Sequence, residues 1–372
     1  MTYLDYQATT PVAPEVAKAM QPWIEDKFAN PHSPSRWGHE ADAAIEVARK
    51  QVERALGLKG GGIAFTSGAT EALNWALKGT VEKAPKGRHR IITLATEHAA
   101  VLDTCAWLAG QGVDLTILPV QSNGRLDLDV LERELDRRVL LVAVMMVNNE
   151  IGVTQPITEI AHLAHEVGAL MLCDAVQGFG RLDIGHGPDL VAISAHKVHG
   201  PKGIGALWMR KGKEPAPFIH GGGQEQGLRS GTLSPSLCVG FGAAAKLAEE
   251  RSTRDYDHVQ KLWKAAVHAL GPGWIINGCT HCRYPGNLNI RREGVDGARV
   301  IADLRDIALS LGSACASGSG RPSHVLRALG LDYRESRSSI RLGFGRYTTQ
   351  QELVDACHRI ARVAVEQEML DA

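Results

Sequence analysis

Nowhere in the 372 residues do eighteen apolar side chains run together, so no stretch reads as a membrane-spanning helix. The opening, MTYLDYQATTPVAPEV, has no basic segment followed by an apolar run and does not read as a secretory leader. Net charge is missing as well. Forty-one basic residues balance forty-one acidic ones, so no field of one sign draws the chain toward nucleic acid, an anionic membrane or an acidic partner. Cysteines are few and odd in number, seven scattered over a long chain, which argues for reduced thiols and against a disulfide framework. There are no internal repeats and no low-complexity segment. These absences leave an ordinary globular protein, expected in the cytoplasm, with neither nucleic acid nor membrane as partner. The 44% apolar content is ample for a buried core, and the length suits two domains, one of them larger.

From about residue 62 to 210, short apolar runs alternate with helical patterns. GIAFTS precedes TEALNWALKG, RIITLA precedes HAAVLDTCAWLAGQG, and VLLVAVMMV precedes ITEIAHLAHEVG, followed by ALMLCDA, DLVAIS and GALWMR. Runs of four to eight residues alternating with longer helices predict an α/β domain whose mostly parallel sheet is covered on both faces. GGGQEQGLRSGTLSP then breaks the pattern, and helical stretches around 237–250 and 255–270 follow. Next come NLNIRR, a helix near 297–309, the helix SHVLRALG and the strand SSIRLGF. The expected division is a large domain, 1–250, and a smaller α+β domain, 251–372, with about the first 15 residues packing on the smaller one.

Ligands of such sheets bind beyond the carboxyl ends of the strands. Just past those ends lie Ser67-Gly68-Ala69-Thr70, Thr96-Glu97-His98, Asp174-Ala175-Val176-Gln177 and Ser194-Ala195-His196-Lys197. The first opens a helix, where free backbone N–H groups suit a phosphate, although a Gly-Ala-Thr turn alone is equally an ordinary helix cap. Together the four segments describe a pocket with a phosphate cradle, an imidazole, a carboxylate and a lysine. That set suits pyridoxal 5'-phosphate, which needs a lysine for its aldehyde and a carboxylate facing its ring nitrogen. Asp174 fits the carboxylate. Lys197 is favoured over Lys202, because it follows the apolar run DLVAISAH whereas Lys202 lies in the turn GPKG.

One segment stands apart. SLGSACASGSGRPS, residues 310–323, holds Cys315 among glycines and serines that resist helix and strand, so it is expected to be a mobile loop. Its thiol is either a tolerated surface cysteine or a nucleophile on a swinging arm.

Read in order, TSGATEALN, TEHAAVLDTC, VNNEIGVTQPI, CDAVQ, SAHKVHGPKGIGAL, HGGGQEQGLRSGT, SLGSACASG and SSIRLGFGR resemble the motifs of cysteine desulfurases. These are fold-type I pyridoxal-phosphate enzymes related to class V aminotransferases. The likeness runs from YLDYQATTPV to GRYTT near residue 349. It implies a large domain with a mostly parallel seven-stranded sheet and a smaller C-terminal domain. It also implies Lys197 as the lysine holding the cofactor, His98 stacked on the ring, Asp174 at the ring nitrogen and Gln177 at the ring hydroxyl. Ala69, Thr70, Ser194 and His196 match phosphate-binding positions. Thr232, in RSGT, matches one that reaches the phosphate of a neighbouring subunit, which implies a homodimer. Asn149 and Arg341 fall where the family holds the ring hydroxyl and the substrate carboxylate, and Asn30 is placed near the substrate. Cys315 matches the cysteine that takes sulfur and could transiently ligate a cluster iron; no resident metal is implied.

The implied reaction has the Cys315 thiolate attack the sulfur of L-cysteine, leaving alanine and a persulfide for a sulfur-acceptor protein of an iron-sulfur or other pathway. Lys197 acts as base and His98 as proton donor or acceptor. A selenocysteine lyase, a class V aminotransferase and a non-catalytic sulfur carrier are the rival readings. Cys315 weighs against the aminotransferase, and Lys197, Asp174 and His98 together weigh against the carrier. The chain departs from the family in carrying Ser35 where many relatives have His, with His32 upstream. It also lacks the long C-terminal extension used to engage a scaffold protein. GCTHC places Cys279 and Cys282 three apart, half of a zinc or redox motif.

Overall fold

The computed structural model describes residues 1–312 and 323–371; Cys315 lies outside them. Seven strands form the central sheet in the order Gly61–Thr66, Gly205–Arg210, Leu190–Ser194, Leu170–Asp174, Val139–Met145, Arg90–Leu94, Asp114–Leu118. Gly205–Arg210 runs antiparallel to both neighbours and every other pairing is parallel. All seven residues of Val139–Met145 are buried, as a strand covered by helices on both faces requires. The helices Ala69–Glu82, Ala99–Ala109 and Ile157–Glu166 follow strands, as the alternation in the sequence predicts. The polar-edged strand Asp114–Leu118 was not among the expected elements, because only its last residue is buried and its apolar signal is weak.

A second, three-stranded antiparallel sheet joins Ser339–Gly343, Asn287–Arg291 and Ile275–Ile276. The helix Gln350–Asp371 covers it with Leu353, Ala356, Cys357, Ile360 and Ala364. Leu4 joins this C-terminal core, where Thr2–Tyr3 pairs with Ile307–Ala308.

The helical stretches expected at 237–250 and 255–270 are one helix, Pro235–Leu270, of 36 residues. Ser234 caps it, Pro235 starts it, and neither Gly nor Pro occurs from Ala243 to Leu270. The residues just past position 250, where the second domain was expected to begin, are mostly exposed. Ala244, Ala245 and Ala248 pack in the central core, whereas Leu262, Ala266 and Leu270 pack in the C-terminal one. Residue 250 therefore falls inside a helix shared by both. The helix expected to reach 309 stops at Asp303, because Ile307–Ala308 is taken into the strand pair with Thr2–Tyr3.

Residues 4–10 cross from the C-terminal core to the central sheet. Gly343 N–H donates to Leu4 O (2.7 Å), Tyr6 N–H to Gly343 O (3.2 Å) and Thr10 N–H to His196 O (2.9 Å). The crossing is tight enough that a Cβ at Gly343 would lie 2.8 Å from Tyr6 N. Gly343→Ala is therefore expected to destabilise the fold by on the order of 1–3 kcal/mol, as overpacking does. Denaturant unfolding of the apoprotein reads this, and an unchanged midpoint would show that the crossing segment is not held there.

Candidate active site

A cavity of about 620 Å³ lies at the carboxyl ends of the parallel strands. Its lining includes Ala69, Thr70, His98, Asn149, Asp174, Gln177, Ser194, His196, Lys197 and Arg341. Ten residues singled out in the sequence thus meet in one place, although they come from segments up to 272 positions apart, from Ala69 to Arg341. Lys202 also borders the cavity, but it is solvent-exposed in its turn. Thr232 is exposed and outside the lining. Asn30, expected near the substrate, is not brought to this cavity: its Oδ1 accepts the His32 N–H at 2.9 Å, closing a turn of its own loop. Ser35, the departure noted in the same segment, caps the helix Arg36–Leu56 through Gly38 N–H.

Each wall has a local cause. Gly68 precedes the helix Ala69–Glu82 without any side-chain cap, so its first amides are left for an anion. Gly205 allows this approach, since a Cβ there would meet the Gly68 backbone at 2.8 Å. His98 caps the next helix: Nδ1 accepts the Ala100 N–H at 3.1 Å, which puts the neutral ring's proton on Nε2. Asp174 ends its strand and its Oδ1 accepts the Val176 N–H at 3.0 Å.

Lys197 follows its strand in a single helical turn, Ala195–Lys197. Its Nζ donates to Gln7 O (2.5 Å) and Ala8 O (2.7 Å), both on the crossing segment. Burial lowers its amine to about 8, Arg181 and Arg341 push the same way, and Asp5 and Asp174 oppose them. Burial raises the Asp174 carboxyl, and His98 and Lys197 hold it back. Burial, with Lys197 and Lys202, lowers His196 to about 4, so its imidazole is neutral and pairs with Thr9 Oγ1 at 3.1 Å.

Several members of the site carried no signal of their own. Asp5, in YLDYQATT, accepts from Arg341 Nη2 at 2.6 Å, while Arg341 Nη1 donates to Asn149 O at 3.0 Å. Arg181 donates to Gln177 Oε1 and to Lys197 O, both at 2.6 Å, and lies over the Tyr284 ring. It therefore fixes the Gln177 amide, whose Nε2 donates to Gln7 O at 2.9 Å. Glu97 is fully buried beside His98, accepts the Met145 N–H at 2.9 Å, and is raised well above the usual carboxylate range by burial. Only a surrounding pattern such as TEH or QGFGR could have flagged these residues, because most of their partners are distant in the chain, Gln177 beside Arg181 excepted.

The residues fit pyridoxal phosphate. An uncapped helix start faces the same space as an amine of depressed pKa, a buried carboxylate and an oriented amide, in a volume large enough for a cofactor. Fold and site together define a pyridoxal-phosphate enzyme of fold type I. Residues 2–356 match the aminotransferase class-V family. The chain is 45% identical over 360 residues to the cysteine desulfurase IscS of Rickettsia bellii, covering 94% of this chain and 88% of that one. A solved NifS-like protein superimposes with a TM-score of 0.91 at 34% identity, covering 98% of this chain and 99% of the other. A structure described as SspA in complex with cysteine does so with a TM-score of 0.84 at 35% identity, covering 94% and 100%. The chain belongs to the class-V aminotransferase family and, within it, to the cysteine desulfurases.

The depressed amine has a measurable consequence. A lysine whose folded pKa lies below its unfolded value binds fewer protons when folded, so its contribution to stability rises with pH between about 8 and 10.5. Capture of pyridoxal phosphate by the apoprotein needs the neutral amine and is expected to increase with a midpoint near pH 8, followed by the absorbance of the lysine-bound cofactor. Arg181→Met is expected to move that midpoint upward, and Lys197→Ala to abolish capture. A midpoint near 10.5, the ordinary lysine value, would contradict the electrostatics described here.

Proposed function

We infer that the enzyme binds L-cysteine in this cavity with pyridoxal phosphate held by Lys197, transfers its sulfur to Cys315, and releases alanine. The observation that carries this reading is the convergence of Lys197, Asp174, His98 and Arg341 on one cavity. When bound, pyridoxal phosphate supplies an electron sink for the substrate's α-carbon. Asp174 would face the ring nitrogen, Gln177 and Asn149 the ring hydroxyl, and Ala69, Thr70, Ser194 and His196 the phosphate.

Arg341 is suited to the substrate carboxylate. It is 1% exposed, and among the described residues its Nε has no partner, so the Nε–Nη2 edge can take a carboxylate that competes with Asp5. Lys197, with its amine near 8, can take up and return a proton at neutral pH. His98, fixed through Nδ1, presents Nε2–H as a donor. No observation favours a selenocysteine lyase, an aminotransferase or a carrier.

The product is proposed to be a Cys315 persulfide, passed to an acceptor protein of iron-sulfur cluster assembly or another sulfur pathway. The working form is proposed to be a cytoplasmic homodimer. Two features support this: the described cysteines are free thiols, and Thr232 is exposed outside its own chain's cavity, as a residue serving a second copy would be. Among the described residues no helix is long and apolar enough to cross a membrane.

Cys315→Ser is expected to retain cofactor and bind L-cysteine, yet to lose alanine formation by orders of magnitude, because a hydroxyl is a far poorer nucleophile toward sulfur than a thiolate. Brief exposure of the unmodified enzyme to L-cysteine should add ~32 Da to the peptide containing Cys315. Full turnover by Cys315→Ser would defeat this assignment. Heterodimers of Lys197→Ala and Thr232→Ala chains, each inactive alone, should recover part of the activity; none in isolated heterodimers would count against shared sites.

A further inference from the structure

Six cysteines lie among the described residues, and they divide sharply. Cys105, Cys173, Cys238 and Cys357 are buried, and burial pushes all four thiols up, three of them to about 12. Such thiols are inert. Cys279 and Cys282 are partly exposed and lie three residues apart. The Cys282 N–H donates to Cys279 Sγ at 3.3 Å, and Arg125 Nη1 donates to Cys282 Sγ at 2.6 Å.

The backbone around the pair is fixed. Cys279 N–H donates to Asn123 O (2.7 Å), and Thr154 N–H donates to Cys282 O (3.0 Å). Arg283 binds Cys279 O (3.2 Å), Ile151 O (2.9 Å) and Asn287 O (2.8 Å), with its guanidinium 4.2 Å from the centre of the Trp263 ring. Burial is the largest single effect and raises the Cys279 thiol, but the N–H groups of Cys282 and His281, the Cys282 side chain and the Arg125 charge together outweigh it and lower the thiol below its usual value. A paired thiol of this kind, with donors on the first sulfur and a second sulfur in reach, is arranged for exchange at sulfur. Neither residue lines the substrate cavity, and no described group of three or more His, Cys, Asp or Glu could complete a metal site there.

We propose that Cys279 and Cys282 form a second sulfur-accepting site, in which Cys279 takes sulfane sulfur from a low-molecular-weight persulfide and Cys282 resolves it to a disulfide with release of sulfide. In the first step the Cys279 thiolate attacks the outer sulfur of R–S–SH, its bond to the inner sulfur breaks, and Cys279–S–SH and RS⁻ result. In the second step the Cys282 thiolate attacks the Cys279 sulfur, forming the Cys279–Cys282 bond and expelling HS⁻. The two thiols lose two electrons in all, and the sulfane sulfur gains them. One persulfide is consumed, and one thiol and one sulfide are produced. Each pair thus removes one equivalent of sulfane sulfur, the kind of sulfur that the desulfurase reaction generates, independently of Cys315, and reduction of its disulfide by an external dithiol would ready it for another.

The test uses cofactor-loaded Cys315→Ser enzyme treated with glutathione persulfide, followed by acid quench, thiol blocking and mass analysis of the peptide 265–283. The expected result is a loss of about 2 Da from that peptide as the disulfide forms, with one sulfide released per chain. Peptides holding Cys105 and Cys238 should stay reduced. Adding Cys282→Ser should halt the reaction at the first step, leaving ~32 Da on Cys279, and adding Cys279→Ser should prevent both products. The proposal is overturned if the 265–283 peptide of the Cys315→Ser enzyme stays as reduced as the buried-cysteine peptides. It is equally overturned if Cys279→Ser takes up sulfur at the rate of the intact pair. The first comparison needs no change at either cysteine, so it does not depend on how the variants fold.

Discussion

Everything about this site depends on one amine that must be enclosed by protein and yet able to lose its proton. Lys197 meets that requirement through two backbone carbonyls, Gln7 O and Ala8 O, which accept its hydrogens without offering a full counter-charge. A carboxylate in their place would stabilise the ammonium and hold its pKa high. The surroundings do the reverse: burial is the larger effect, and the positive charges of Arg181 and Arg341 add to it. Arg181 can sit so close because its own guanidinium is engaged by Gln177 Oε1, Lys197 O and the Tyr284 ring.

That arrangement explains why the chain crosses between its two cores near the N-terminus. The carbonyls on Lys197 belong to a segment whose preceding residue, Leu4, is buried in the C-terminal core and whose following residues bond to His196 and His199. Asp5, on the same segment, pairs with Arg341 from the C-terminal sheet. A few residues thus tie the amine, the substrate-binding guanidinium and both cores together. The pair is buried on the Arg341 side, where removing one partner alone would leave an uncompensated charge. The long helix Pro235–Leu270 does the same on a larger scale, contributing side chains to both clusters.

The cysteines show how environment assigns chemistry to identical side chains. Those on the sheet and its covering helices are small apolar packing elements: Cys173 sits one residue before Asp174 in its strand and is fully buried. Cys279 and Cys282 lie on a loop bonded to residues 123, 151 and 154, with N–H and guanidinium donors aimed at sulfur. Sequence spacing shows only that two thiols are three apart; the donors come from elsewhere in the chain.

Apolar runs and turn residues alone determined the α/β class, the strands from Gly61 to Arg210 apart from Asp114–Leu118, and the loops that follow them, because side-chain period and burial on both faces are local properties. They also determined which polar residues end those strands, and therefore His98, Asp174, Ser194 and Lys197 as candidates for a single pocket. Motif order carried the match to a family and with it Arg341 and Asn149. The sequence misled at the domain division: a boundary was expected at residue 250, but no Gly or Pro there opposes a helix and the chain runs on as one, Pro235–Leu270. Tertiary structure alone decided that Gln7 and Ala8 supply the acceptors for Lys197, that Asp5 answers Arg341, that Arg181 orients Gln177, and that Asn30 turns to its own loop. The first two are contacts between residues far apart in sequence; the bonds of Arg181 to Gln177 and of Asn30 to His32 are local, and the surrounding packing selects them among the partners within reach. Such choices are made by how cores and crossings bring groups within hydrogen-bond distance, which no local pattern records.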